Sequence, residues 1–256
     1  MTRPVFAIAS IALVPLFVFA QGGGGGPSAH RTTDGKPDLS GIWQVMNTAN
    51  WNIQDHNAEK GVPAGQGVVD GNELPYTPAA AAKRKSNYEN RATADPESKC
   101  YLPGVPRATY LPFPFQIVQG PDHILIAYEF ASASRTLYVN GKDQSPLDTW
   151  MGWSNARWEG ETLVVDVTGF NDQTWFDAAG NFHSEALHVV ERYTRTGPDH
   201  LMYEATIDDP KVFTRSWTIR MPLYRRVEAH AQLLEFKCVE FAEELMYGHL
   251  RKRTGN

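Results

Sequence analysis

The chain predicts a mainly β domain, an antiparallel meander closed into a barrel, with one helix before it and a short helix after it. Three observations carry this. Beyond Cys100, short runs of alternating apolar and polar residues follow one another with turn residues between them, which is the period of half-buried strands. No strand-helix-strand alternation interrupts the runs, so a parallel α/β sheet loses support. Eight or so consecutive strands with short turns indicate an antiparallel sheet rolled into a barrel or folded into a sandwich, of which the barrel is favoured.

Composition sets the frame. The 256 residues are 42% hydrophobic and 21% charged, with a formal net charge of −5, ordinary values for a globular domain that exclude wholesale disorder. No basic patch dominates, so nucleic acid is not an expected partner. Arg3 followed by the apolar run Val5 to Ala20, with Val18 and Ala20 before Gln21, predicts a removable export signal over residues 1–20 and hence a periplasmic or extracellular location. No stable membrane span is expected after cleavage. In an oxidising compartment Cys100 and Cys238 are expected to form a disulfide.

The elements follow in order. Residues 21–37, with Gly22 to Gly26 at their head, predict a flexible leader. A single domain is expected over 38–256, with an irregular extension at about 45–110. Within it, Thr77-Pro78 before an Ala-rich run is a helix start, Thr as N-cap and Pro at the first helical position, continuing to about Arg91. His123 to Phe130 and Arg135 to Val139 predict paired strands. Arg157 to Glu159, Gly160 and Glu161 to Thr168 predict a hairpin, and Leu187 to Thr194 and Leu201 to Ile207 a second one around Gly197-Pro198-Asp199. Phe213 to Met221 and Gln232 to Cys238 are expected strands, and Glu240 to Leu250 the final helix.

Asp38-Leu39-Ser40-Gly41-Ile42-Trp43 resembles the Gly-x-Trp first strand of lipocalins and other calycins, which implies a calycin-like barrel whose Trp plugs the closed end. The same opening text from Asp34, the Trp150-Met151-Gly152-Trp153-Ser154 stretch and the Arg157-Trp158-Glu159-Gly160-Glu161-Thr162-Leu163 hairpin are similar to a large set of exported bacterial proteins of unassigned function. That resemblance implies no catalytic residue.

Candidate chemistry concentrates in one stretch. Four of the seven Trp stand at 150, 153, 158 and 175, interleaved with Arg157, Asn171 and Asp172. Aromatic planes beside amide and charged groups suit a carbohydrate-like or polar aromatic ligand, stacking on its face and bonding its edge. Trp150, Trp153, Arg157, Asn171 and Trp175 are the expected binding residues, with Tyr110 at the barrel mouth, where Arg107 beside it suits a carboxylate. The alternative is that the Trp side chains fill the core and the polar residues form turns.

His183-Ser184-Glu185-Ala186-Leu187-His188 is the sharpest cluster. His183 or His188 can serve as general acid or base, oriented by Asp172 or Glu185, which points to a cofactor-independent hydrolase or lyase. The same His183, Glu185 and His188 are three possible ligands for a divalent metal, although no cofactor is favoured; simple hydrogen-bonded strand histidines are the plain alternative. Glu129 is expected to pair with Arg135 across the intervening turn. A non-catalytic ligand carrier and a structural envelope-associated protein remain the competing functions.

Overall fold

The computed structural model describes residues 31–59 and 62–250, so the expected export signal and the expected leader as far as residue 30, Gly-rich run included, lie outside the described residues. Residues 31–37 form a turn closed by the Arg31↔Pro37 bridge. Nine strands follow: β1 Gly41–Gln44, β2 Phe115–Gln119, β3 His123–Tyr128, β4 Ser134–Val139, β5 Trp153–Glu159, β6 Thr162–Thr168, β7 His188–Gly197, β8 His200–Asp208 and β9 Trp217–Arg225. Each pairs with the next, and β9 returns to β1 through Trp43↔Arg225, so the sheet is one closed barrel.

The expected all-antiparallel meander is corrected at one junction. β4 and β5 are parallel, in register Leu137↔Ser154 to Val139↔Ala156, joined by a crossover over residues 140–152. Parity requires such a junction. Every antiparallel neighbour reverses direction, and a closed ring of nine strands cannot return to its starting direction through reversals alone.

Three further expectations change. β2 was not anticipated from the Pro-rich approach, yet Phe115 to Gln119 pairs with both β1 and β3. Gln232 to Cys238 is not a strand: ring closure leaves no free edge for it to join. It packs against the β3–β4 turn instead, with Phe236 against Phe113 and Phe130 at centroid distances of 5.0 and 4.8 Å. β9 also starts later than expected, at Trp217, and runs on to Arg225.

Strand directions place the long connections 45–114, 169–187 and 209–216 at one end of the barrel, together with the arrival of the crossover. The long segment contains α1 (Pro78–Glu89), capped by Thr77, α2 (Arg91–Ala94) and α3 (Arg107–Tyr110). It is sewn to the barrel by bridges Val69↔Ile219 and Tyr76↔Phe213. A last helix, α4 (Ala242–Tyr247), follows Cys238. Among the described residues no helix is long and apolar enough to cross a membrane.

Alternation along the strands fills the interior. Leu163, Val165 and Val167 from β6, Val189 and Tyr193 from β7, and Leu201, Tyr203, Ala205 and Ile207 from β8 are all buried, and Trp43 and Phe115 close the same core. The Trp43 indole donates to the Leu39 carbonyl at 2.9 Å, satisfying the one polar atom its burial would strand.

Cys100 and Cys238 are disulfide-bonded across 138 residues of chain. For a loop of that length the chain-entropy account allows about 4–5 kcal/mol, reduced by any strain. Replacing both cysteines by Ser is expected to lower the unfolding free energy by about 2–5 kcal/mol with the barrel retained; denaturant titration with circular dichroism checks it, and an unchanged midpoint would refute it.

Candidate functional site at the parallel seam

An ion pair lies inside the barrel. Arg135 enters from β4 and meets Glu191 of β7 through two hydrogen bonds, 2.6 and 2.8 Å, both side chains being almost fully buried. The guanidinium also donates to the Tyr128 and Tyr193 hydroxyls at 3.1 and 3.0 Å and to Ser154 at 3.4 Å. Tyr193 and Tyr203 in turn donate to Glu191. Burial opposes the charge on Arg135, but the facing Glu191 carboxylate together with Tyr128 and Tyr193 outweighs it, and the arginine is held well above its usual range. Burial, reinforced by Glu191, raises both tyrosines, so they stay neutral donors. The expected Glu129–Arg135 pair is thereby corrected: Arg135 points inward, and Glu129 instead accepts the Leu234 amide at 2.8 Å.

Arg135 stands beside the parallel seam of the wall. The β4/β5 pairing covers three residue pairs, and recesses flank it at each end. The one at the long-loop end has a volume of about 290 Å³ and is lined by Ser134, Arg135, Thr136, Tyr138, Thr149, Met151, Gly152, Trp153 and Ser154. Its aromatic wall is Trp153 stacked on Tyr138, 4.6 Å between centroids at 13°, with His123 edge-on to Tyr138 at 5.4 Å. The β3–β4 turn leading into it holds Ala131 and Ser132 at φ 54° and 51°, left-handed backbone that costs residues with a Cβ and tends to collect near functional sites. The second recess, about 280 Å³, is lined by Asn140, Gly141, Lys142, Asn155, Ala156, Arg157 and Asp166.

Most of the residues singled out in the sequence lie elsewhere. His183 is buried; its Nδ1 lies 2.9 Å from the Ser184 carbonyl, which can only accept, so Nε2 is left to accept from Thr174 at 2.5 Å. Burial holds its pKa below the usual histidine value, so it is neutral. Glu185 pairs with Lys211, which holds its carboxyl below the usual range. Asp172 accepts from the Gln173 side chain at 2.5 Å. His188 faces outward and meets Asp166 of β6 at 3.1 Å. The hydrogen-bonded pairing of either histidine with Asp172 or Glu185 is therefore replaced by His188–Asp166, because alternation turns His188 towards its neighbouring strand and away from the loop. Among the described residues no group of three potential ligands is placed to hold a metal, and His183, Glu185 and His188 have the separate partners just named.

The binding candidates divide similarly. Trp153 lines the larger recess and Arg157 the smaller, where Arg157 pairs with Glu159 and Asp166. Trp150 lies edge-on to Tyr101, and Trp175 bridges to Phe182. Asn171 is a turn former, accepting the Gln173 amide at 3.2 Å. Tyr110 is core, its hydroxyl donating to the Phe176 carbonyl at 2.7 Å. Arg107 is buried and fully engaged by Asp95, Glu97 and Asn50, which removes it as a carboxylate receptor. Beside it Asp177 accepts from the Ile53 and Asn181 amides and the Asn181 side chain; burial pushes its pKa up to about 6.

Ser134, Thr136, Tyr138, Thr149 and Met151 were missed. Outward alternation of the Arg135 to Val139 strand marks Tyr138 as exposed, but nothing local announces that Trp153 would come to lie beside it. No protein-family model matches the chain. No curated protein matches it either.

Two outcomes follow from the buried charges. Glu191→Ala, which strands Arg135 in the core, is expected to cost about 3–5 kcal/mol, whereas Arg135→Met with Glu191→Leu is expected to cost far less; denaturant midpoints compare them. A neutral buried histidine makes the folded state bind fewer protons than the unfolded one below the ordinary histidine pKa, so its contribution is lost as pH falls. His183→Gln is expected to lose less unfolding free energy than the parent between pH 7.5 and pH 5; parallel losses would refute the assignment.

Proposed function

We propose that the chain is an exported ligand-binding barrel that takes a small polar aromatic or carbohydrate-like molecule in the recess beside β4 and β5. One observation carries this: the recess of about 290 Å³ combines the Trp153–Tyr138 wall with the hydroxyls of Ser134, Thr136 and Thr149, the apolar face and polar edge that such a molecule needs. Arg135 brings no free charge to it, since Glu191 already holds the guanidinium. The ligand sits in the wall because side chains fill the interior, unlike the open cup of a lipocalin.

Kinship with the calycins is part of the proposal, supported by Gly41-Ile42-Trp43 on the first strand with Trp43 wholly buried. Export is supported by the N-terminal pattern and by the disulfide, a bond that belongs to oxidising compartments. A second reading, a hydrolase or lyase, rests on His188 bonded to Asp166 at the margin of the smaller recess. The competing structural role predicts no ligand response.

Titrating neutral polar aromatic molecules and simple saccharides against intrinsic Trp fluorescence is expected to yield a saturating change. Trp153→Ala is expected to weaken that binding by roughly thirtyfold, the usual consequence of removing a Trp anchor. Equal affinity in the variant would refute the site, and turnover abolished by His188→Ala would establish the second reading.

A further inference from the structure

The parallel ladder between β4 and β5 stops one rung short of the recess. The Tyr128 amide donates to the Ala133 carbonyl at 2.8 Å and the Val139 amide to the Asp122 carbonyl at 2.9 Å, so residues 133, 135, 137 and 139 turn their backbone groups towards β3. By alternation Ser134 and Thr136 turn theirs towards β5, as Asn140 does in donating to the Ala156 carbonyl at 2.7 Å. On β5, residues 154 and 156 face β4. Trp153 therefore faces β6, and the trans peptide before it aims the Gly152 carbonyl back at β4.

The register begins at Leu137↔Ser154 and does not include Thr136 opposite Trp153. The groups that this further pair would have joined, the Thr136 N–H and the Gly152 carbonyl, border the recess instead, because Thr136 and Gly152 both line it. One donor and one acceptor thus stand on opposite sides of a cavity with an aromatic wall.

We propose that the recess receives an amide-bearing molecule as the missing rung. The inference rests on the reading of this recess as the ligand site and names its ligand class. The ligand carbonyl accepts from Thr136 N–H, its N–H donates to the Gly152 carbonyl, and an aromatic substituent packs against Trp153, Tyr138 and Met151. This is strand addition reduced to a single amide. A carboxylate only accepts, so it leaves the Gly152 carbonyl without a donor, and it finds Arg135 already paired.

The test uses three probes in ¹H–¹⁵N NMR titrations of the intact protein: N-methyl-3-phenylpropanamide, the equally shaped methyl 3-phenylpropanoate, and methyl β-glucopyranoside. The amide is expected to shift the Thr136 amide and Trp153 indole resonances and to slow hydrogen exchange at Thr136. The ester is expected to bind about tenfold more weakly, because it leaves the Gly152 carbonyl unpaired. Trp153→Ala is expected to weaken the amide probe. Equal binding of amide and ester overturns the inference, as does a Thr136 amide already protected in the free protein. If the glucoside shifts Trp153 and the amide does not, the recess remains the ligand site and the amide inference falls. If no probe moves Trp153, both fall.

Discussion

A ring of nine strands cannot alternate in direction all the way round, and the rest of this molecule is arranged about that constraint. One junction has to be parallel. It falls between β4 and β5, so the chain must travel back along the barrel through residues 140–152 before β5 begins. Every other junction is made by an antiparallel neighbour, six of them with five to nine residue pairs in register. The parallel seam has three, and both recesses open beside it.

The interior ion pair belongs to the same place. Arg135 enters at the start of β4, next to the seam, and Glu191 reaches it from β7. Three tyrosine hydroxyls and Ser154 occupy hydrogen-bonding positions around the pair. A buried pair of this kind contributes little net stability against an apolar replacement, but losing one partner is costly. It therefore specifies which side chains meet across the barrel more than it holds the barrel together. Because Trp43, Phe115, Tyr193 and Tyr203 fill the remaining space, room for a ligand is found in the wall.

Much of the strand pattern was readable locally. The alternation of Leu187, Val189, Glu191 and Tyr193 put Glu191 on the inner face with its apolar neighbours, and the structure buries all four. It could not name Arg135 as the partner, since 56 residues separate the two and their meeting depends on how the barrel curls. β2 stayed hidden because Pro112 and Pro114 just before it pointed to extended or turn geometry and because its partner β1 lies some 70 residues earlier. Gln232 to Cys238 has strand-like composition, yet closure left it nothing to pair with. Of the expected binding residues, Trp153 and Arg157 border the two recesses at the seam. Clustering along the chain brought Trp150, Trp153 and Trp175 together in sequence, while strand direction sent them to different neighbours.

By itself the sequence determined the β class, the turns, which face of each strand is apolar, and the two cysteines available for a bridge. These depend on residues close together in the chain, where periodicity and turn chemistry act. Tertiary structure alone decided the strand count, the parallel junction, the partner of each buried charge and the position of the recesses. Those depend on closing a ring, a condition that no local stretch of residues can express.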